Sequence, residues 1–147
     1  MQVWINLKEK DRLKADQIEE KMGKLLKALN LAEAEVSISF VSDEEIKELN
    51  RQYRQKDAPT NVLSFCMQEG EDKDINPHLL GDIVISLETA QREAEACDFS
   101  LEEMVDFYLI HGLLHLLGYH HDHPEHEAMM RRLWQVLGHS PYWDEAT

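Results

Sequence analysis

Val3, Ile5 and Leu7 alternate with polar residues, and the stretch that follows carries Leu13, Ile18, Met22, Leu25, Leu26 and Leu29 at mostly three- and four-residue spacing. Period two followed by period near 3.6 predicts a strand and then an amphipathic helix. The alternation returns at Val36, Ile38 and Phe40. Ser42 with Glu45 three residues later then forms a capping-box signature ahead of Ile46, Leu49 and Tyr53, predicting a second strand and a second helix. Asn61 to Phe65 and Asp82 to Ser86 are short apolar runs that read as two further strands, separated by the acidic stretch EGEDKDINPH. From Glu88 the run ETAQREAEA is rich in helix formers. Ser100 and Glu103 make another capping box, opening a helix that runs to Leu117 and stops at Gly118. Pro124 suits the first turn of a last helix, EHEAMMRRLWQVL, ended by Gly138.

This order, β-α-β-α-β-β-α-α-α, predicts an α+β layer fold: a small four-stranded mixed sheet packed with about five helices. The helix from Ser100 is apolar on nearly every face after Met104, as expected of a central element packed on several sides. With 147 residues, 43% of them hydrophobic, the chain is expected to form one domain spanning residues 1–147. No repeat, linker or low-complexity tail interrupts it.

Composition narrows the function classes. A formal charge of −14 argues against coating nucleic acid or membrane through bulk electrostatics, so any phosphate site has to be local. The N-terminus MQVWINLKEKD lacks the pattern of a signal or transit peptide, and no apolar run approaches the roughly 20 residues that cross a bilayer. Cys66 and Cys97 are far apart and lack CxxC spacing, which suits small buried side chains in a reducing compartment. The expectation is a cytoplasmic protein with no membrane partner.

The chemistry concentrates in HGLLHLLGYHH. His111 and His115, four residues apart, project to one side of the helix, and Gly118 lets the chain turn back so that His121 can supply a third imidazole. Three neutral imidazoles around one point suit a divalent ion such as zinc, one per chain. The spacing matches the ligand pattern of the metzincin peptidases, HExxHxxGxxH, but the position of their catalytic Glu is Gly112, which disfavours ordinary peptidase chemistry. A closed structural zinc site is disfavoured too, because no cysteine lies near the motif. His120 and His123 are expected to miss the ion, leaving a non-protein oxygen in the fourth position. His78, His123, His126 and His139 are expected to face solvent, while Trp134, Tyr142 and Trp143 pack the last helix on the body. Arg51, Arg54 and Lys56 form the compact basic cluster of an acidic chain, and a guanidinium there could grip a phosphate.

These residues resemble the YbeY endoribonucleases, bacterial rRNA maturation factors with the signature HGxLHLxGYDH. LNRQYRQKDAPTNVLSF (Leu49 to Phe65) and LLGDIVIS (Leu79 to Ser86) resemble that family's other signature stretches, in the same order. The resemblance implies a small mixed sheet with packed helices and metal-dependent cleavage of single-stranded RNA in rRNA maturation and ribosome quality control. It implies His111, His115 and His121 as zinc ligands, with Arg54 and His111 as catalytic positions. It further implies precursor rRNA, the ribosomal subunit and assembly proteins as partners. One departure is visible: the family's Asp before the third histidine is His120 here. Attack by water and attack by the RNA 2′-hydroxyl are both compatible with the sequence. The competing readings are another metal-dependent hydrolase and a non-catalytic ribosome-assembly protein.

Overall fold

A computed structural model describes residues 2–7, 13–66, 78–120 and 122–139. In chain order the elements are β1 (Gln2–Leu7), α1 (Ala15–Ala28), β2 (Glu35–Val41), α2 (Asp43–Arg54), β3 (Val62–Cys66), β4 (Leu79–Ser86), α3 (Leu87–Cys97), α4 (Leu101–Leu116) and α5 (His126–Val136). The strands form one mixed sheet in the order β1-β2-β4-β3. The β1-β2 and β2-β4 pairs are parallel, and β3 runs antiparallel to β4 at one edge. This is the expected α+β architecture. Strand order, which the sequence left open, follows from two parallel crossovers.

Alternation sorts the sheet residues between two faces. Val36, Ile38 and Phe40 of β2 and Ile83 and Ile85 of β4 join the main core, together with side chains of α1, α3, α4 and α5. Val84, one residue out of phase, faces the other way and meets Leu63 of β3 and Ile46 of α2. Four helices therefore cover one face and α2 covers the other. Both expected capping boxes form: Ser42 Oγ accepts from the Glu45 amide at 3.1 Å, and Ser100 Oγ accepts from the Glu103 amide at 3.1 Å. A third cap was not anticipated, since Ser86, the last residue of β4, also accepts from the Thr89 amide and opens α3 directly from the strand.

Tyr53 departs from the apolar face assigned to it. It is 60% exposed, with its ring edge-on to Phe65 at 5.3 Å. The buried stripe of α2 ends one turn earlier at Asn50, whose side chain turns inward to donate to the Ala58 carbonyl at 2.9 Å. That bond holds the connection to β3 against the helix.

α4 is central, as its composition implies. Its buried side chains include Val105, Tyr108, Leu109, Ile110, Leu113 and Leu114, at roughly 1.5–3 kcal/mol for each large aliphatic residue removed from water. Asp106 is buried among them, and its carboxylate meets Lys21 Nζ of α1 at 3.0 Å and His139 Nε2 beyond α5 at 2.8 Å. His139 also stacks on Trp134, with ring centroids 4.1 Å apart, so the expectation that it faces solvent fails. Trp134 packs the last helix inward as expected, whereas Tyr142 and Trp143 fall outside the described residues.

The Asp43 carboxylate at the start of α2 accepts hydrogen bonds from Ser86 Oγ, Thr89 Oγ1 and Arg92, at 2.6, 2.6 and 2.7 Å. Burial alone would raise its pKa. The hydrogen bonds from Ser86, Thr89 and Arg92, with the Arg92 charge, outweigh that effect and hold it below the usual carboxylate range.

Candidate metal centre and active site

The turn after α4 builds the site. Gly118, at φ +90°, follows the helix, with Tyr119 N donating to Leu114 O at 2.8 Å and Gly118 N to His115 O at 3.1 Å. This paired arrangement is the glycine-terminated Schellman stop expected from the sequence. Two further tight turns, with His123 N on His120 O at 2.9 Å and His126 N on His123 O at 3.1 Å, then swing the first residue of α5 back toward α4.

His111 and His115 lie on successive turns of α4, both half-buried, with ring centroids 4.5 Å apart. The ring of His126 stands 5.7 Å from that of His111 and 6.4 Å from that of His115. One ligand atom from each of His111, His115 and His126 lies within 4.8 Å of the others, close enough to hold a common metal ion. His126 is thus brought into the site, not turned to solvent as expected, and its Nε2 and that of His115 are shut off from water. His121, the third ligand expected from the motif, lies outside the described residues.

The surrounding residues orient these rings. His120 Nδ1 is 3.3 Å from His115 Nδ1, so the histidine that replaces the signature aspartate engages one ring nitrogen of His115 and leaves the other for a metal. His123 accepts from the Glu125 amide at 3.1 Å and packs on Tyr119, and it is not among the grouped donors. The Cys66 thiol donates to Leu116 O at 3.4 Å within the seam between β3 and α4 and is not among the grouped donors. A donor set of imidazoles fits a borderline-soft ion such as zinc better than a hard, oxygen-seeking one.

Strand β3 lies along α4 with matched pitch. Ser64 Oγ donates to Gly112 O at 3.0 Å, and Cys66 reaches Leu116, so two strand residues keep step with four helix residues. Their rises, about 6.8 Å and about 6 Å, agree closely enough for this. The close approach depends on Gly112, because a Cβ there would stand 2.8 Å from Ile83 Cγ2. Even a methyl there would force Ile83 to shift, so the longer glutamate of the peptidase pattern is disfavoured in this helix.

Arg54, the last residue of α2, donates to the Ser64 carbonyl at 3.0 Å and so reaches the seam at the level of Gly112. Its remaining N–H groups have no partner among the described residues. Arg51 is committed differently: it pairs with Glu48 one turn back, and that hydrogen bond holds the Glu48 carboxyl below its ordinary range. Only one guanidinium of the basic cluster therefore reaches this seam. Next to the histidines opens a cavity of about 570 Å³, lined by Asn61, Phe107, Tyr108, His111, His126 and Glu127 among others.

Comparison with known proteins agrees with this geometry. A family model described as endoribonuclease YbeY matches residues 4–140. The endoribonuclease YbeY of Syntrophus aciditrophicus is 45% identical over 134 residues, covering 90% of this chain and 84% of that protein. The chain belongs to the YbeY family. The YbeY protein of Syntrophotalea carbinolica is 42% identical, over 86% of this chain and 84% of its own. Among solved structures, the solution structure of TM1509 from Thermotoga maritima superposes with a TM-score of 0.64 at 25% identity, covering 99% of this chain and 90% of that one. The YbeY family is thus one of hydrolytic enzymes named for internal cleavage of RNA. No helix among the described residues is long and apolar enough to cross a membrane.

Proposed function

We propose that this protein is a zinc-dependent endoribonuclease that cuts single-stranded RNA, acting on precursor rRNA in ribosome maturation and quality control. The observation that carries the proposal is the convergence of imidazole donors from α4 and the start of α5 beside an open cavity, in a chain of the YbeY family. His111, His115 and His121 are the proposed ligands, with His126 beside them and the fourth position left to a non-protein oxygen. When bound, the ion supplies Lewis acidity to a phosphoryl oxygen and makes water more acidic.

The chain's own groups provide the rest. Arg54 offers unpaired N–H donors to a phosphate and counters charge that builds on it, the role for which a planar guanidinium is suited. Its bond to the Ser64 carbonyl fixes the guanidinium relative to α4, because Ser64 is itself bonded to Gly112, next to His111. His120 fixes the orientation of His115. Precursor rRNA, the ribosomal subunit and assembly proteins are the proposed partners, and the cytoplasm the proposed compartment. An overall charge of −14 confines RNA affinity to this neighbourhood.

The test measures zinc content and cleavage of single-stranded RNA on the same preparations. Arg54→Ala should keep its zinc and lose cleavage by about 100-fold, in the range found when one transition-state donor is removed. His111→Ala should lose both. Unimpaired cleavage by Arg54→Ala would show that Arg54 has been given the wrong role, and cleavage by the zinc-free protein would remove the metal from the reaction.

A further inference from the structure

A second cavity, of about 250 Å³, adjoins the first and shares Asn61, Phe107 and Tyr108 with it. Together they make a groove that starts at His111 and follows α4 toward its N-terminus, ending at Glu93 of α3. The polar groups at that end are fixed. Glu93 Oε1 accepts from Asn61 Nδ2 at 3.1 Å and from the Tyr108 hydroxyl, while Asn61 Oδ1 accepts from the Val62 amide at 2.8 Å. Glu93 Oε2 and one N–H of the Asn61 carboxamide have no partner among the described residues. The half-buried Phe107 ring, held edge-on by Trp134 at 6.2 Å, supplies a π surface between the two cavities.

The charge of this groove determines which part of RNA it can take. Its lining includes Glu93 and Glu127 and, among the described residues, no lysine or arginine. At its Glu93 end, away from the imidazoles, a phosphodiester would be repelled, whereas a neutral base would not. Arg54, the group that would attract a phosphate, reaches the seam at the level of Gly112, and Tyr108 lies one helical turn away, about 6 Å along the axis. Phosphate and base thus have separate places on the same helix.

We propose that this groove is a nucleobase subsite. The base beside the scissile phosphate lies against Phe107, and Glu93 Oε2 with the Asn61 amide reads its hydrogen-bonding edge. A carboxylate oxygen accepts from an exocyclic amino group and repels a carbonyl, so cytosine is preferred to uracil. The inference rests on the reading of the neighbouring site as an RNA-cleaving centre, but base binding can be measured without cleavage.

Two measurements on the full-length, metal-loaded protein test it. Binding of cytidine 5′-monophosphate and uridine 5′-monophosphate, followed by calorimetry, should favour the former by about tenfold, within the range for a well-formed base contact. Glu93→Gln keeps an acceptor for Tyr108 and Asn61 while placing a donor where Oε2 was, and should reverse the preference. Phe107→Leu should weaken both nucleotides about equally. Sequencing the ends made from a randomised single-stranded RNA pool should then show uracil depleted on one side of the cut by the parent and enriched there by Glu93→Gln. Equal binding of the two nucleotides, or an unchanged profile in Glu93→Gln, overturns the subsite. A cytidine preference in a zinc-loaded protein that cuts no RNA leaves the subsite standing and overturns the catalytic reading instead.

Discussion

Replacing Gly112 with alanine separates two effects of opposite sign. Mid-helix, alanine is favoured over glycine by about 1 kcal/mol, so on an exposed face the change would stabilise the protein. Here the new Cβ would lie 2.8, 3.2 and 3.3 Å from Cγ2, Cγ1 and Cδ1 of Ile83, a residue with no exposed surface. Forcing an extra carbon into such packing costs about 1–3 kcal/mol. The balance is a loss of about 1 kcal/mol, or roughly 2–4 °C in melting temperature for a chain of this size. Urea denaturation of Gly112→Ala, Ile83→Ala and the double variant checks the cause. Ile83→Ala alone should cost about 2–5 kcal/mol. In the double variant the added methyl enters space that Ile83 vacated, so its cost should fall short of the sum by about 1 kcal/mol or more. Zinc should stay bound to Gly112→Ala, because His111 and His115 move together with α4. RNA cleavage should fall, because the helix is pushed away from Ser64 and hence from Arg54. A Gly112→Ala protein that gains the full 1 kcal/mol would refute the close approach of helix and sheet, and with it the reason given for the missing glutamate.

Four further outcomes follow from the structure. His126→Ala should hold zinc far more tightly than His111→Ala, read by competition with a chromophoric chelator, and a loss as large as that of His111→Ala would make His126 a ligand. His139→Ala removes a partner from the buried Asp106 carboxylate and should cost about 1–3 kcal/mol in denaturant unfolding; no change would mean that Lys21 alone satisfies that carboxylate. Gly118→Ala meets no atom within 4 Å, so its cost should be the backbone term alone, about 1 kcal/mol for leaving glycine at positive φ, and a much larger loss would point to an unseen clash. Asp43 has a folded pKa below its unfolded value near 3.9, so its contribution is complete above that pH and is lost as pH falls through it toward the folded value. Asp43→Asn should flatten the acid limb of the stability curve below about pH 4, and an unaltered limb would show that Asp43 does not shape it.

What could be read from sequence was what local chemistry decides. The boxes at Ser42 and Ser100, the all-round apolar α4 and the glycine stop at Gly118 each depend on residues within a turn or two of one another, and each forms. His111 and His115 share a face for the same reason. Apart from the Ser86 cap on α3, the misses are contacts across the fold. Nothing near His126 announces that two tight turns will return it to α4, although its position just after Pro124, in the first turn of the expected last helix, put it at the end of α5 nearest the motif. Ser64 looked like an ordinary strand residue until β3 was laid beside α4. Glu93 is one of several acidic residues on α3, and it is set apart only by the Asn61 and Tyr108 groups that converge on it. The exposure of Tyr53 was missed because helical spacing predicts a stripe but not where the sheet beneath it ends.

The order of elements also sets a schedule. Each residue proposed for RNA cleavage lies at or beyond Arg54, and the helices that carry the imidazoles are the last two among the described residues. During synthesis, which proceeds from the N-terminus at about 5–20 residues per second, β1, α1 and β2 emerge well before any metal donor. They cannot complete the main core, because its other half is built from β4, α3, α4 and α5. An unfinished chain therefore holds neither a finished core nor a cutting centre. On the proposed reading, RNA cleavage begins only once α4 and α5 have emerged, so a partial product lacking them does not cut.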